Sequence, residues 1–208
     1  MINIWFYILK GVNMTLLIFG LTAILGIPLG MSLALCGTSR KLWLKKIIGF
    51  YTWLFRGTPL MLQLFFVYYG LPSFGIVLEP VTAAVITFVI NYGAYFSEIF
   101  RGSLLSIEDG QYEASKVLGM NYYQTMTRII IPQSLRVAIP GIGNELLGLI
   151  KNTSLISTIG VGEILRNSRE IVTREFTIIP FLVCGLIYLI LSTGIEIYLK
   201  SLERKVGI

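Results

Sequence analysis

The sequence predicts an all-α membrane protein with about five transmembrane helices, and three observations lead there. First, 55% of its 208 residues are hydrophobic and only 13% are charged, about half the charged fraction of a soluble domain. Second, long uncharged runs recur at lengths close to the ~20 residues a helix needs to cross a bilayer. Third, one dense polar interruption, 106–132, separates the third of these runs from the fourth. The net charge of +6 fits cationic loops facing anionic lipid. No basic run with interleaved aromatics suggests nucleic acid. The chain has no histidine, and its two cysteines, Cys36 and Cys184, lie far apart. A zinc or haem site is not expected.

The opening MINIWFYILK lacks a basic leader and a small-residue cleavage site, and reads as the start of an uncleaved first span. That span is placed at 12–35, with Gly26, Pro28 and Gly30 as a kink that packs closely. A basic loop, Arg40 to Lys46, follows. Lys46 to Phe55 is amphipathic and aromatic, suited to the membrane interface, before the chain turns in at Arg56-Gly57-Thr58-Pro59. The second span is 57–78 and the third 80–100, ended by Glu98 and Arg101. The fourth, 137–162, is interrupted by Glu145 and Lys151. The fifth, 176–197, is the cleanest. Five spans put the termini on opposite sides. With the 40–46 loop, the 101–136 loop and the C-terminus inside, twelve cations including Arg40 lie inside and four outside. The N-terminus is therefore expected outside and the C-terminus in the cytoplasm.

The 106–132 interruption has its own grammar. Ser106 and Asp109 stand three apart, as in a capping box, before helix formers from Gln111 to Leu118. Gly119 sits where a helix closes in the left-handed region. Asn121 and Gln124 repeat the capping pattern and open a second helix through Ile130, which Pro132 is expected to stop. A plain loop needs none of this, whereas a docking element for another protein does.

No phosphate-cradling loop occurs and no nucleophile–base pair stands out, so a catalytic role is not expected. Polar groups at membrane depth are costly and usually face a pathway or a partner. Asn144, Gly148 and Lys151 share one helical face, with Glu145 and Asn152 on the next stripe. Asn152 to Ser154 and the later Gly160 and Gly162 suit a helix broken near the midplane around a solute path. Asn91, Tyr92, Tyr95 and Glu98 form another stripe, and Glu98 can pair with Arg101. Thr58 and Gln63 are weaker pathway candidates. Each group also has a plain reading as a packing or capping residue.

These residues resemble the permease subunits of ABC importers, specifically their polar amino acid branch. Gln111-Tyr112-Glu113-Ala114-Ser115 with Leu118-Gly119 and Ile131-Pro132 is similar to the EAA loop, with Ser115 in place of the second alanine. Phe55-Arg56-Gly57-Thr58-Pro59-Leu60, Glu98-Ile99-Phe100-Arg101-Gly102, and Lys151-Asn152-Thr153-Ser154-Leu155 with Ile159-Gly160-Val161 resemble the branch in the expected order. The similarity spans roughly 12–203 as one transmembrane domain.

The resemblance implies a multi-pass protein of the prokaryotic cytoplasmic membrane that pairs with a second permease subunit, itself or a close relative. Two ATP-binding subunits, which carry the ATP and Mg, each receive one cytoplasmic coupling helix, and an extracytoplasmic amino-acid-binding protein delivers the solute. Glu113, Ala114 and Gly119 would form the coupling element with Ser115, and Tyr112, Val117 and Leu118 its apolar contacts. For a zwitterion, Lys151, Thr58 and Ser154 are candidates for the carboxylate and Glu98 or Glu163 for the ammonium. Asn152 beside Lys151 favours a neutral polar amino acid such as glutamine or cystine. The alternatives are another small solute, including cationic amino acids, or a passive or ion-coupled carrier.

Overall fold

The computed structural model describes residues 4–39 and 41–207, and every regular element among them is helical. Met1 to Asn3 of the opening segment, and Arg40 of the inside charge count, lie outside the described residues.

Helix α1 (Ile4–Gly37) starts before the expected 12–35 span and contains it. At 1.5 Å per residue it is roughly 50 Å long, more than the ~30 Å hydrocarbon core requires. Its buried residues are Ile8, Gly11, Thr15, Ile18, Thr22, Gly26, Gly30 and Ala34. That is one stripe at three- and four-residue spacing, mostly small, which lets another backbone approach. The approach is close at Gly30, where an added Cβ would lie 2.5 Å from the Cβ of Phe96.

Helix α2 (Leu42–Gly57) is amphipathic. Ile48 and Thr52 are buried, while Trp43, Phe50 and Trp53 are exposed. The chain breaks at Thr58-Pro59, where Pro59 has no N–H to continue the helix. Helix α3 (Leu60–Phe65) widens into a π-turn over Phe66–Gly70 and tightens into a 3-10 turn over Leu71–Phe74. The stretch read as a 57–78 span is thus helical from Leu60 to Phe74, shorter than the ~20 residues of a full crossing.

Helix α4 (Pro80–Leu105) is the centre of the molecule. It packs on α1, α2, α3 and α7. Phe88, Tyr92, Phe96 and Phe100 recur every four residues along it, and all are buried. The helix continues past Glu98 and Arg101, the charges read as its end. In consequence Ser106 donates its hydroxyl to the Ser103 carbonyl at 2.8 Å. It closes α4, and does not cap the next helix as the Ser106–Asp109 spacing suggested.

Helix α5 (Asp109–Val117) ends in a double closure: Met120 N–H bonds to Ser115 C=O at 3.0 Å and Gly119 N–H to Lys116 C=O at 2.9 Å. This geometry needs a left-handed residue after the helix, and Gly119 supplies it with φ +73. Helix α6 (Tyr122–Thr125) opens with the reciprocal capping box read from the sequence. Asn121 Oδ1 accepts from Gln124 N–H at 2.9 Å, and Gln124 Oε1 accepts from Asn121 N–H at 3.0 Å. The expected stop at Pro132 does not occur. A π-turn over Met126–Ile130 leads into α7 (Ile131–Asn152), and Pro132 sits in the first turn of α7. The wider turn accommodates a ring that would collide with the carbonyl four residues back in a regular α-helix.

At Thr153 the helix tightens to a 3-10 segment through Ile159 and closes at Gly160, φ +88. Helix α8 (Ile164–Glu175) follows and packs against α1 and α9 (Ile179–Val206). Phe176, read as the first residue of the last span, is instead the left-handed residue closing α8, and its side chain is exposed. Among the described residues α1, α4 and α9 are long and apolar enough to cross a membrane. The other two expected crossings, around α3 and α7, are the ones whose helices change pitch.

Candidate functional site

The break between α2 and α3 creates the site. Helix ends leave carbonyls without partners, and at membrane depth no water is assured to satisfy them. Here two side-chain amides do so. Asn91 of α4 donates through Nδ2 to the Phe55 carbonyl at 2.9 Å and to Gln63 Oε1 at 3.0 Å. Gln63 Nε2 is shared among Thr58 Oγ1 at 2.7 Å, the Phe55 carbonyl at 3.0 Å and the Thr58 carbonyl at 3.1 Å. Thr58 Oγ1 donates to the Leu54 carbonyl at 2.8 Å.

This knot holds open one wall of a cavity of about 590 Å³. The α2–α3 break contributes Arg56, Gly57, Thr58 and Pro59. Helix α4 contributes Asn91, Tyr92 and Tyr95, and α7 contributes Glu145, Gly148 and Asn152. Asn152 Nδ2 donates to the Tyr92 hydroxyl at 2.9 Å and ties α7 to α4. The Arg56 guanidinium lies over the Tyr95 ring, 5.4 Å from its centroid, a cation–π placement. It is also 3.7 Å from Glu98 Oε2, which Arg101 holds at 2.7 Å. Arg56 and Glu145 are the charged residues of the lining.

Of the pathway residues expected from the sequence, Thr58, Asn91, Tyr95 and Asn152 line this cavity. Gln63 stands behind its wall, and Glu98 lies beside it, held by two arginines. Asn144 and Lys151 are exposed on the neighbouring stripe of α7 and do not line it. Ser154 donates its hydroxyl to the Lys151 carbonyl at 2.8 Å. Glu163 is fully buried elsewhere. It caps α8, accepting the N–H of Leu165 at 2.7 Å and of Arg166 at 2.6 Å, and it accepts the Tyr188 hydroxyl at 2.9 Å.

Of the other lining residues, Arg56 is not expected from the sequence as a solute contact, while Tyr92 and Glu145 belong to the polar stripes named there without being singled out as such. For Arg56 a signal existed: it precedes a helix break at the head of a long uncharged run. For Glu145 it was the stripe shared with Asn152.

A second feature lies at the α5–α6 turn. Tyr112 is half-buried and packs against the core, and burial raises its phenol above the ordinary range. Ser115 is buried and donates to the Gln111 carbonyl at 2.7 Å. Glu113, Ala114, Val117, Leu118 and Gly119 are exposed. Val117 is 87% and Leu118 78% exposed, and Tyr122 and Tyr123 beside them are also open. Such an apolar group on a polar, rigidly closed helix pair is a candidate binding surface.

Residues 26–208 match the family described as binding-protein-dependent transport system inner membrane component. The L-cystine transport system permease protein TcyB of Bacillus subtilis is 37% identical over 205 residues, covering 98% of this chain and 88% of that protein. The arginine transport system permease protein ArtQ of the same organism is 38% identical over 201 residues, covering 96% and 92%. A crystal structure of an amino acid ABC transporter superposes with a TM-score of 0.89 at 31% identity, covering 96% of this chain and 94% of that one.

Proposed function

This chain belongs to the binding-protein-dependent transport system inner membrane components, and on that premise we propose how its cavity and its α5–α6 turn divide the work of import. The chain is a multi-pass permease subunit of the amino-acid ABC transporter kind, a transport component and not an enzyme. The cavity between the α2–α3 break, α4 and α7 is the solute path. The observation that carries this is the pairing of Arg56 and Glu145 within one lining. A free amino acid has a carboxylate and an ammonium, and each needs an opposite charge when stripped of water. Thr58, Asn152 and the Tyr92 and Tyr95 hydroxyls complete the polar contacts.

One cation and one anion in the lining balance a solute with no net charge. A neutral polar amino acid such as glutamine or cystine is therefore the substrate, delivered by an extracytoplasmic binding protein. The identity to an arginine permease keeps a cationic amino acid as the second reading. The chain crosses the prokaryotic cytoplasmic membrane five times, through α1, the α3 segment, α4, α7 with its 3-10 extension, and α9, entering from outside. The α5–α6 turn then faces the cytoplasm. Val117 and Leu118 insert into the surface of an ATP-binding subunit, with Glu113, Ala114 and Gly119 shaping the helix that does so. Two permease subunits pair around a twofold axis, and ATP with Mg binds in the two partners.

The test is reconstitution in liposomes with the ATP-binding subunits and the binding protein. ATP-driven uptake of labelled glutamine or cystine is expected, competed weakly by arginine. Uptake by the purified chain alone, without ATP, would overturn the importer reading; preferred uptake of arginine would replace the substrate but keep the mechanism.

A further inference from the structure

A second cavity, about 540 Å³, lies between α1, α7 and α9, on other residues than the polar one. Its walls are carbon: Phe19 and Ile27 from α1, Ile142 and Leu146 from α7, Ile190 and Leu202 from α9 mark its extent. Among the described residues the Tyr198 phenol is the polar side chain in its lining. Along α9 the groove runs from Ile190 to Leu202, roughly 18 Å at 1.5 Å per residue, close to half of the ~30 Å hydrocarbon core. That is the depth of a single leaflet.

The charges lie at one end. Arg136 is one turn before Ile139 on α7, and Arg204 and Lys205 lie just beyond Leu202 on α9. All three are exposed, and none is in an ion pair among the described residues. Among the described residues Glu203, partly buried, is the carboxylate next to them in sequence. Three cations against one carboxylate, at the mouth of an apolar slot one leaflet deep, match a phosphate head on an acyl chain.

We propose that this groove binds an anionic phospholipid of the cytoplasmic leaflet, with one acyl chain between α1, α7 and α9 and its phosphate among Arg136, Arg204 and Lys205. The proposal rests on the orientation given above, in which α7 begins and α9 ends at the cytoplasmic side. Its occupant touches the same helix that supplies Glu145, Gly148 and Asn152 to the solute cavity, and so steadies that wall. Gly194 gives a handle on the slot: a Cβ added there meets nothing within 4 Å, so a larger side chain fills the space without collision.

The experiment uses the permease with its ATP-binding subunits in nanodiscs of phosphatidylcholine, with or without phosphatidylglycerol, followed by thermal melting and by mass spectrometry of retained lipid. Phosphatidylglycerol is expected to raise the melting temperature and to remain bound after purification. The combined Arg136→Gln, Arg204→Gln, Lys205→Gln variant should lose that preference, with retention falling about tenfold or more, while melting in phosphatidylcholine alone stays unchanged. Gly194→Leu should lose retained lipid whatever its headgroup. Equal stabilisation by the two lipids, or a preference that survives removal of the three charges, overturns the proposal. So does disulfide cross-linking of two copies through Gly194→Cys, which would show a second copy covering the groove. Labelling of a Lys205→Cys variant from outside would overturn the orientation separately from lipid binding.

Discussion

Asn91, in the middle of α4, donates its side-chain amide to the backbone carbonyl of Phe55 at the end of α2, 2.9 Å away. The bond joins positions 36 apart in sequence and satisfies a carbonyl exposed by a helix break. Replacing Asn91 by Leu strands Gln63 Oε1 and leaves the Phe55 carbonyl only the bond it shares from Gln63 Nε2. The expected cost is about 1–3 kcal/mol, that of an unsatisfied buried polar group. Thermal unfolding of the purified transporter reads it as a lowered Tm. An unchanged Tm would mean that water or Gln63 alone can serve Phe55.

In the proposed function Arg56 and Glu145 act on the solute rather than on the fold. Neutralising either, as Arg56→Gln or Glu145→Gln, removes a charged hydrogen bond worth about 1.5–3 kcal/mol. Uptake at limiting solute should fall about tenfold to a hundredfold. Docking of the ATP-binding subunits should be untouched, so their binding to the permease in a pull-down is the control.

Gly119 presents the opposite case. No atom lies within 4 Å of an added Cβ, yet its φ is +73. Gly119→Val is therefore penalised by backbone strain of about 1–2 kcal/mol and not by collision. It should reduce ATP-driven uptake while the solute preference stays fixed. Gly119→Asn, which tolerates the left-handed region, should retain most activity.

The contrast between Asn121 and Ser106 shows how far the sequence could be read. The capping box of Asn121 and Gln124 and the turn at Gly119 are local devices, complete within four and six residues, and the structure contains both. Ser106 carries a similar local signal, but α4 reaches it first and takes its hydroxyl. Whether a helix outruns a pair of charges depends on what it packs against, and beyond Glu98 the buried Phe100, Ser103 and Leu104 keep α4 on the core. Pro132 was misleading for the same reason: a π-turn, which has no residue signature, absorbed it. At the site, the stripe of Asn91 and Tyr95 was legible from helical periodicity. The choice between the Lys151 stripe and the Glu145 stripe was not. It is set by α7 facing Tyr92 through Asn152, a contact between positions 60 apart.

Glu163 illustrates a polar residue at depth that serves the fold. Glu163→Ala removes a helix cap, worth about 0.5–2 kcal/mol, and leaves the Tyr188 hydroxyl unpaired, about 1–3 kcal/mol more. A clear loss of Tm is expected, with the ranking of competing amino acids in the residual uptake unchanged. A changed ranking would return Glu163 to the solute path.

The α1–α4 contact predicts a contrast between two glycines of one helix. Gly30→Ala places a methyl 2.5 Å from Phe96 Cβ and 2.9 Å from its carbonyl carbon, so the helices must separate at a cost of about 1–3 kcal/mol. Gly20→Ala meets nothing within 4 Å and should stabilise by up to about 1 kcal/mol through helix propensity. Melting the two variants side by side checks both signs.

The π-turn that carries the chain past Pro132 has a mechanical consequence. Because it does not interrupt the helix, Tyr122 and Asn152 are two ends of one rod, roughly 45 Å long at 1.5 Å per residue. Pro140 lies within that rod, where the missing N–H makes it easiest to bend. A displacement of the exposed tyrosines therefore reaches Gly148 and Asn152 only as far as Pro140 stays straight, which makes that residue the compliant joint between the two ends.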